Sequence, residues 1–269
     1  MNTAENRMKL EQYTSKWILG EESVQAFTEA VNNYLHTANY KLYKYKSVLP
    51  STTQEYMWLR QDLENNTLVL SNPSAFNDPF DCQFGIANDP GGAFFLAAQN
   101  ATDTSFRVGC LTESLSNRLM WSHYADKHRG VCIEYDFSDF FTAVNGVLFA
   151  PVIYSGQRPQ LSESIRNKIM AGERLTHEDC THLTRALLTK DSVWRYEYEW
   201  RIVKTASASD DSFYHFPMPP ISAVYFGAAM EYSPEGRTAK GDLQELCKRI
   251  GIKTHSMRLD AIGYAVDSD

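Results

Sequence analysis

Two carboxylates two residues apart, Glu197 and Glu199 in VWRYEYEWRIV (residues 193–203), are the pair with the plainest capacity for chemistry. In a strand, Tyr196, Tyr198, Trp200 and Ile202 share one face and Glu197, Glu199 and Arg201 the other, which sets the carboxylates about 7 Å apart at Cα. In a cleft, such a pair raises one pKa by like-charge repulsion, or grips a ribose through its hydroxyls. On an open sheet face, Arg201 simply neutralises Glu199.

Three other stretches offer partners. KLYKYKS (41–47) alternates as a strand with Lys44 and Lys46 on one face, able to meet a diphosphate. LSNPSAFNDPFD (70–81) presents Ser71, Ser74 and Asn77 as short hydrogen-bonding groups at a strand end, where ligands are commonly held. Asp78 and Asp81 bracket Pro79, and their expected work is to cap backbone amides in the turn. LMWSHYADKHRGVCIEYD (119–136) puts His123 and Asp126 on one helix side and Met120, Tyr124 and His128 on the next. His123 and Asp126 could then bond as a general base with its orienter, or as half a metal site. The two histidines are five apart and face different sides, unlike a His-x-x-x-His zinc helix. Trp121 and Tyr124 are expected to pack the helix onto a sheet. Ser122 lacks the Gly-x-Ser-x-Gly elbow of a nucleophile.

The elements that must carry these groups follow from period and punctuation. Residues 5 to 39 read as two helices broken at Gly20, a lead-in spanning residues 1–40,. From residue 41 to 269 strands and helices mix within one expected domain. Strands are predicted at 41–47, 67–71, 106–114, 131–136, 147–154, 196–204 and 221–226, with a closing strand at the end. Helices are predicted at 53–65, 91–100, 115–128 (stopped by Gly130), 161–171, 177–188 and 240–250. Without regular βαβ alternation, the class is α+β with a mixed, mostly antiparallel sheet.

Bulk composition bounds the function. The chain has 269 residues, 43% of them apolar and 13% aromatic, enough for a sizeable core. No run of about 18 apolar residues is present, so no membrane partner is expected. The first residues, MNTAENRMKLEQYTSKW, lack the order of a secretory signal, which predicts a cytoplasmic protein. Five scattered cysteines without a C-x-x-C pair predict reduced, buried thiols. A net charge of -7 opposes a broad phosphate-binding face.

LYKYKS, LSNPSAFNDPFD, LMWSHYADKHRGVCIEYD and WRYEYEWRIV, in this order, resemble the bacterial family catalogued as domain of unknown function 2971, over Leu42 to Phe226. Many members read Arg where this chain has Lys46. That likeness implies kinship and no activity. A second resemblance is to the ADP-ribosyltransferase superfamily, whose cleft is built from an early basic residue, a Ser/Thr-containing strand and a late Glu-x-Glu. It implies an enzyme that consumes NAD, transferring ADP-ribose to a protein or nucleic acid or hydrolysing the cofactor, as a toxin or phage-defence effector. Glu199 would hold the nicotinamide ribose and stabilise its oxocarbenium-like charge. Glu197 would orient or deprotonate the acceptor, with His123 facing the pocket. Lys44, Lys46, Ser71, Ser74, Asn77 and Tyr124 would contact NAD, with Lys46 neutralising the pyrophosphate as a point charge. The chain departs from that pattern in lacking a Ser-Thr-Ser triplet and in using Lys as its first basic residue. Two other classes stand beside it: a metal-dependent nuclease or hydrolase using Asp78, Asp81, His123 and Asp126, and a noncatalytic binding module whose aromatic motifs are core.

Overall fold

Period-two stretches become strands and period-3.6 stretches become helices at most of the places the sequence predicts. The computed structural model describes residues 3–85, 89, 92–139, 147–206, 213–260 and 266–268. In chain order the elements are α1 (Thr3–Ile18), α2 (Val24–Thr37), β1 (Lys41–Lys46), α3 (Gln54–Asn65), β2 (Thr67–Ser71), α4 (Ala93–Ser105), β3 (Phe106–Thr112), α5 (Arg118–Tyr124) and β4 (Val131–Asp136). Then come β5 (Val147–Pro151), β6 (Ile153–Ser155), α6 (Glu163–Ala171), α7 (His177–Leu187), β7 (Thr189–Asp191), β8 (Glu199–Thr205) and β9 (Phe213–Pro217). The chain closes with β10 (Ile221–Phe226), α8 (Pro234–Ile250), β11 (Lys253–Leu259) and β12 (Val266–Ser268). The protein is α+β, with a helical N-terminus and a mixed, mostly antiparallel sheet.

Helix starts follow side-chain chemistry. Thr53, Ser162 and Ser233 each accept a backbone N–H of the first turn of α3, α6 and α8, and Thr176 and Asp179 form a reciprocal capping box on α7. Each such cap satisfies donors that the helix itself leaves open.

The contacts divide the chain into two compact units. The first takes Met1–Tyr34, Leu70–Cys110 and Phe141–Tyr214; the second takes Leu35–Val69, Leu111–Phe140 and His215–Asp269. In the first, β5 pairs antiparallel with β8, Phe149 opposite Ile202, β8 pairs with β3, and Ser71 of β2 lies opposite Val108 of β3. β6 and β7 form a separate parallel pair. The core of this unit centres on Trp200, which is fully buried, stacks on Phe149 at 4.9 Å and meets Tyr34 at 6.0 Å. Arg7 of α1 lies over the same indole at 5.4 Å and donates to the Glu199 carbonyl at 2.7 Å. In the second unit β1 pairs antiparallel with β4, β4 with β10 across a bulge at Ser222, and β10 parallel with β11. Helix α5 packs on β1 through Trp121, perpendicular to Tyr45 at 5.0 Å.

Several elements differ from their predicted extents, each for a local reason. The helix predicted to run from 115 to 128 is only Arg118–Tyr124, because Asp126, Lys127 and His128 all take left-handed φ, at 45°, 55° and 67°. Gly130 is required for another reason than stopping a helix: a Cβ there would sit 2.2 Å from the Lys46 carbonyl oxygen. The strand predicted from Tyr196 begins only at Glu199; Ser192–Glu197 is a 3-10 turn and Tyr198 is left-handed at φ 45°. The strand predicted at 147–154 is two, β5 and β6, and α8 starts at Pro234, six residues earlier than its predicted start at Lys240. Strands β7 and β9 had no sequence signal strong enough to be predicted.

Because Trp200 packs against rings and a cation at once, Trp200→Ala is expected to lower unfolding stability by about 3–5 kcal/mol in urea titrations. Val193→Ala, at a residue 70% exposed, should stay within about 0.5 kcal/mol.

Candidate functional site

The late acidic pair does meet, though not on one strand face. The 3-10 turn and the left-handed Tyr198 swing Glu197 round so that it and Glu199 reach the same ammonium, that of Lys190 on β7. Lys190 Nζ lies 2.9 Å from Glu199 Oε2 and 3.6 Å from Asp81 Oδ2, and is also hydrogen-bonded to Glu197 Oε2. Arg201, two residues along β8, donates its Nε to Glu199 Oε1 at 2.7 Å and its Nη2 to Asp81 Oδ2 at 2.7 Å. Its Nη1 donates to the Leu187 carbonyl and to Cys82 Sγ. Three carboxylates and two cations are thus interlocked, and all five side chains are buried. The predicted pairing of Arg201 with Glu199 is present, at the centre of this network.

Burial alone would drive these groups towards their neutral forms. For Glu199 it works to raise the pKa, but Arg201 and Lys190 outweigh it and hold the carboxyl well below the usual range. Burial pulls Lys190 down, and the carboxylates of Glu199, Asp81 and Glu197 overcome it and push it up. Arg201 is likewise raised by Asp81 and Glu199 against its own burial. Burial pushes the Cys82 thiol up, so Cys82 is a packed thiol and not a reactive one,.

Lys190 also forms part of a cleft. A cavity of about 250 Å³ is lined by Asp78, Asp81, Arg158, Lys190 and Asp191, with Ser155 and Thr189 among the polar groups. Asp78 Oδ1 accepts from the Phe80 amide at 2.8 Å, the turn-capping role its spacing predicts, and Oδ2 accepts from Trp194 Nε1 at 2.8 Å. Arg158 lies over the Phe80 ring at 4.8 Å, with that ring 65% exposed at the rim. Counting the network behind the wall, five carboxylates face three cations. The cleft carries a formal negative excess.

The remaining predicted site residues fall elsewhere. Ser71 and Ser74 are in the first unit, Ser74 in the Pro73–Ala75 turn with its amide donating to Asp103 at 3.0 Å, and Asn77 is exposed in the following loop. Lys44, Lys46, His123 and Tyr124 belong to the second unit. None of these seven, nor Glu197 or Glu199, lines the cleft, whose residues are those of the Asp78–Asp81, Ser155–Arg158 and Thr189–Asp191 segments. The expected His123–Asp126 bond is replaced: the left-handed turn takes Asp126 off the helix, and its carboxylate pairs with Arg129 at 2.9 Å. His123 itself is exposed, and Trp121, not Tyr124, is the fully buried aromatic of α5. Of the residues weighed for metal chemistry, Asp78 and Asp81 lie in the first unit and His123 and Asp126 in the second. Among the described residues no group of three or more His, Cys, Asp and Glu side chains is arranged to hold a metal ion.

Sequence reasoning missed Lys190, Asp191 and Arg158. TKDS at 189–192 looks like an ordinary loop after a helix. Its one signal is a lysine between short polar residues immediately after the apolar helix end ALL (186–188), where a cation has to be either solvated or paired.

The molecule is therefore an α+β protein with a polar cleft backed by a buried ion network. Residues 120–202 match the model of the family described as Protein of unknown function (DUF2971). That stretch holds nearly all of LMWSHYADKHRGVCIEYD and most of VWRYEYEWRIV, so the resemblance to this family is upheld there, with Lys190, Glu197, Glu199 and Arg201 inside it. No curated protein and no solved structure matches the chain, and the likeness to ADP-ribosyltransferases gains no support from these comparisons. No helix among the described residues is long and apolar enough to cross a membrane.

Removing Lys190 would leave Asp81 and Glu199 with the Arg201 guanidinium and take from Glu197 the ammonium it shares with them. Lys190→Met is expected to cost about 3–5 kcal/mol in chemical unfolding, as breaking a buried pair does. The pH dependence follows from the shifts. Glu199, depressed in the fold, contributes fully above its unfolded pKa of about 4.3, and the contribution is lost as pH falls below that towards the folded value. Lys190, raised in the fold, contributes fully below its unfolded pKa of about 10.4 and loses that contribution only as pH rises towards its folded value. The stability gap between wild type and Glu199→Gln should be level from about pH 5 to 10 and narrow on further acidification. A gap that instead widens as pH falls from 7 to 5, because the folded carboxyl takes up a proton there before the unfolded one does, would show that Glu199 is not held ionised.

Proposed function

We propose that the first unit takes the nicotinamide-ribose end of NAD into the Asp78–Asp191 cleft and breaks its glycosidic bond, so that the protein is an NAD-consuming enzyme. The single observation that carries this reading is Lys190, which is at once a wall of the cleft and the ammonium on which Glu197 and Glu199 converge. The negative excess of the cleft supports a ligand bearing positive charge and hydroxyls. The nicotinamide ring of NAD is cationic, ribose hydroxyls donate to carboxylates such as Asp78 and Asp191, and negative charge fixed beside the site favours the oxocarbenium-like charge that forms as nicotinamide leaves. In this reading Glu199 is a positioning residue: both its oxygens are occupied by Arg201 and Lys190, so it acts by holding Lys190 in the wall. The cleft volume, a little below the roughly 300–1,000 Å³ of sites that enclose whole drug-sized ligands, suits one end of a dinucleotide.

The test uses the purified full chain with NAD, following nicotinamide release by chromatography and binding by calorimetry. Wild type is expected to bind saturably and release nicotinamide. Asp191→Asn, at an exposed position outside the buried network, should weaken binding about tenfold, or 1.4 kcal/mol, with unfolding unchanged. Saturable binding with no nicotinamide released would make the protein a binding module; the absence of both would remove NAD altogether.

A further inference from the structure

The second unit contains a half-buried lysine in the opposite situation to Lys190. Lys46, at the end of β1, points to the face shared with Leu42 and Lys44, where α3 lies. Its side chain is 18% exposed, and its ammonium makes no hydrogen bond to any described residue; the nearest carboxylate oxygen, Asp62 Oδ2, is 3.9 Å away. Asp62 is fully buried and already engaged. It accepts from Thr67 Oγ1 at 2.8 Å, from the Val69 amide at 3.4 Å, and from His215 Nδ1 at 3.2 Å. With Nδ1 bound to a carboxylate, the imidazole lone pair sits on Nε2, and that ring is 29% exposed. One buried carboxylate therefore orients a histidine on one side and faces an under-paired amine on the other. Neither Asp62 nor His215 stood out in the sequence.

We propose that Lys46 is a nucleophilic amine that captures a small aldehyde or ketone as an imine, with His215, held by Asp62, moving the protons. The Lys46 nitrogen attacks the carbonyl carbon and the C=O π pair moves to oxygen, giving an amino alcohol. The C–O bond then breaks, the C=N bond forms, and the two amine protons leave with the oxygen as water. Nε2 of His215 takes a proton from nitrogen and returns it to the departing hydroxyl. No oxidant or second substrate is needed.

Charge supports the geometry. Burial, aided by the neighbouring Lys44, pushes the Lys46 amine down to about 8, against Asp62 and Glu55, so roughly a quarter of it is uncharged near pH 7.5. Desolvation beside another cation is how reactive lysines are made. The titratable groups whose charge acts on it are Lys44 on β1 and Glu55 and Asp62 on α3; His215 on β9 and the buried Tyr135 of β4 are linked to it through Asp62. An amine that is partly uncharged is a poor clamp for a pyrophosphate, the role its strand position first predicts. The inference is independent of the cleft in the first unit.

The probe is propanal with cyanoborohydride, applied to the full chain at pH 7.5, with modified lysines located by peptide mass mapping. Lys46 should be propylated at least tenfold faster than Lys9, whose side chain is 63% exposed, and its rate should rise through about pH 8. His215→Gln should slow Lys46 at least tenfold and leave Lys9 unchanged. Lys46→Arg should erase the fast site alone. Lys46 reacting no faster than Lys9 in wild type overturns the proposal without recourse to any variant, and fast labelling that persists in His215→Gln overturns the proton relay.

Discussion

Five ionised side chains withdrawn from water are tolerated only if each carboxylate meets a cation in good geometry. The network of Asp81, Lys190, Glu197, Glu199 and Arg201 meets that condition with residues from three separate stretches of chain. The desolvation cost of such groups is of the same order as their mutual attraction, so a network like this adds little net stability. It does make the arrangement unforgiving. Any displacement of β7 or of the start of β8 leaves a buried charge unpaired, which fixes Lys190 in the wall of the cleft and explains the 3-10 turn and left-handed Tyr198 that deliver Glu197 to it. Arg7 adds to the same constraint from outside the network, holding the Glu199 carbonyl and covering the Trp200 indole.

Lys190, buried, and Lys46, half-buried, show how environment, not residue type, decides chemistry. Lys190 is encircled by carboxylates, is held charged and serves as a fixed electrostatic element. Lys46 has one carboxylate at 3.9 Å, already claimed by other donors, and a second lysine beside it. The first is locked because its charge is needed; the second is available because its charge is opposed.

Much of the architecture was legible from residue patterns. Alternation in KLYKYKS and the strand-like runs TLVLS and VCIEYD became β1, β2 and β4, and the apolar spacing of residues 5–39 became α1 and α2. Where the reading failed, the determining force was not local. α5 is cut short by three consecutive left-handed residues, a conformation that side chains disfavour and only surrounding contacts impose. There His128 Nε2 comes to 3.3 Å from Ser122 Oγ and the His128 carbonyl accepts from Ala229. The Tyr196 strand start failed for the same kind of reason, since a period-two pattern cannot reveal that its first turn must carry a carboxylate to a lysine seven residues before it.

By itself the sequence determined the α+β class, the order of most elements and the pairing of Glu199 with Arg201. Those properties depend on neighbours in the chain, through backbone period and side chains one or two residues apart. Tertiary structure alone decided that the acidic pair shares Lys190, that Asp81 joins it from over a hundred residues away, and that Asp62 bonds His215 through one oxygen and faces Lys46 with the other. An ionisable group's chemistry is set by its burial and by the charges within a few ångströms of it, and chain folding, not spacing along the sequence, chooses those neighbours.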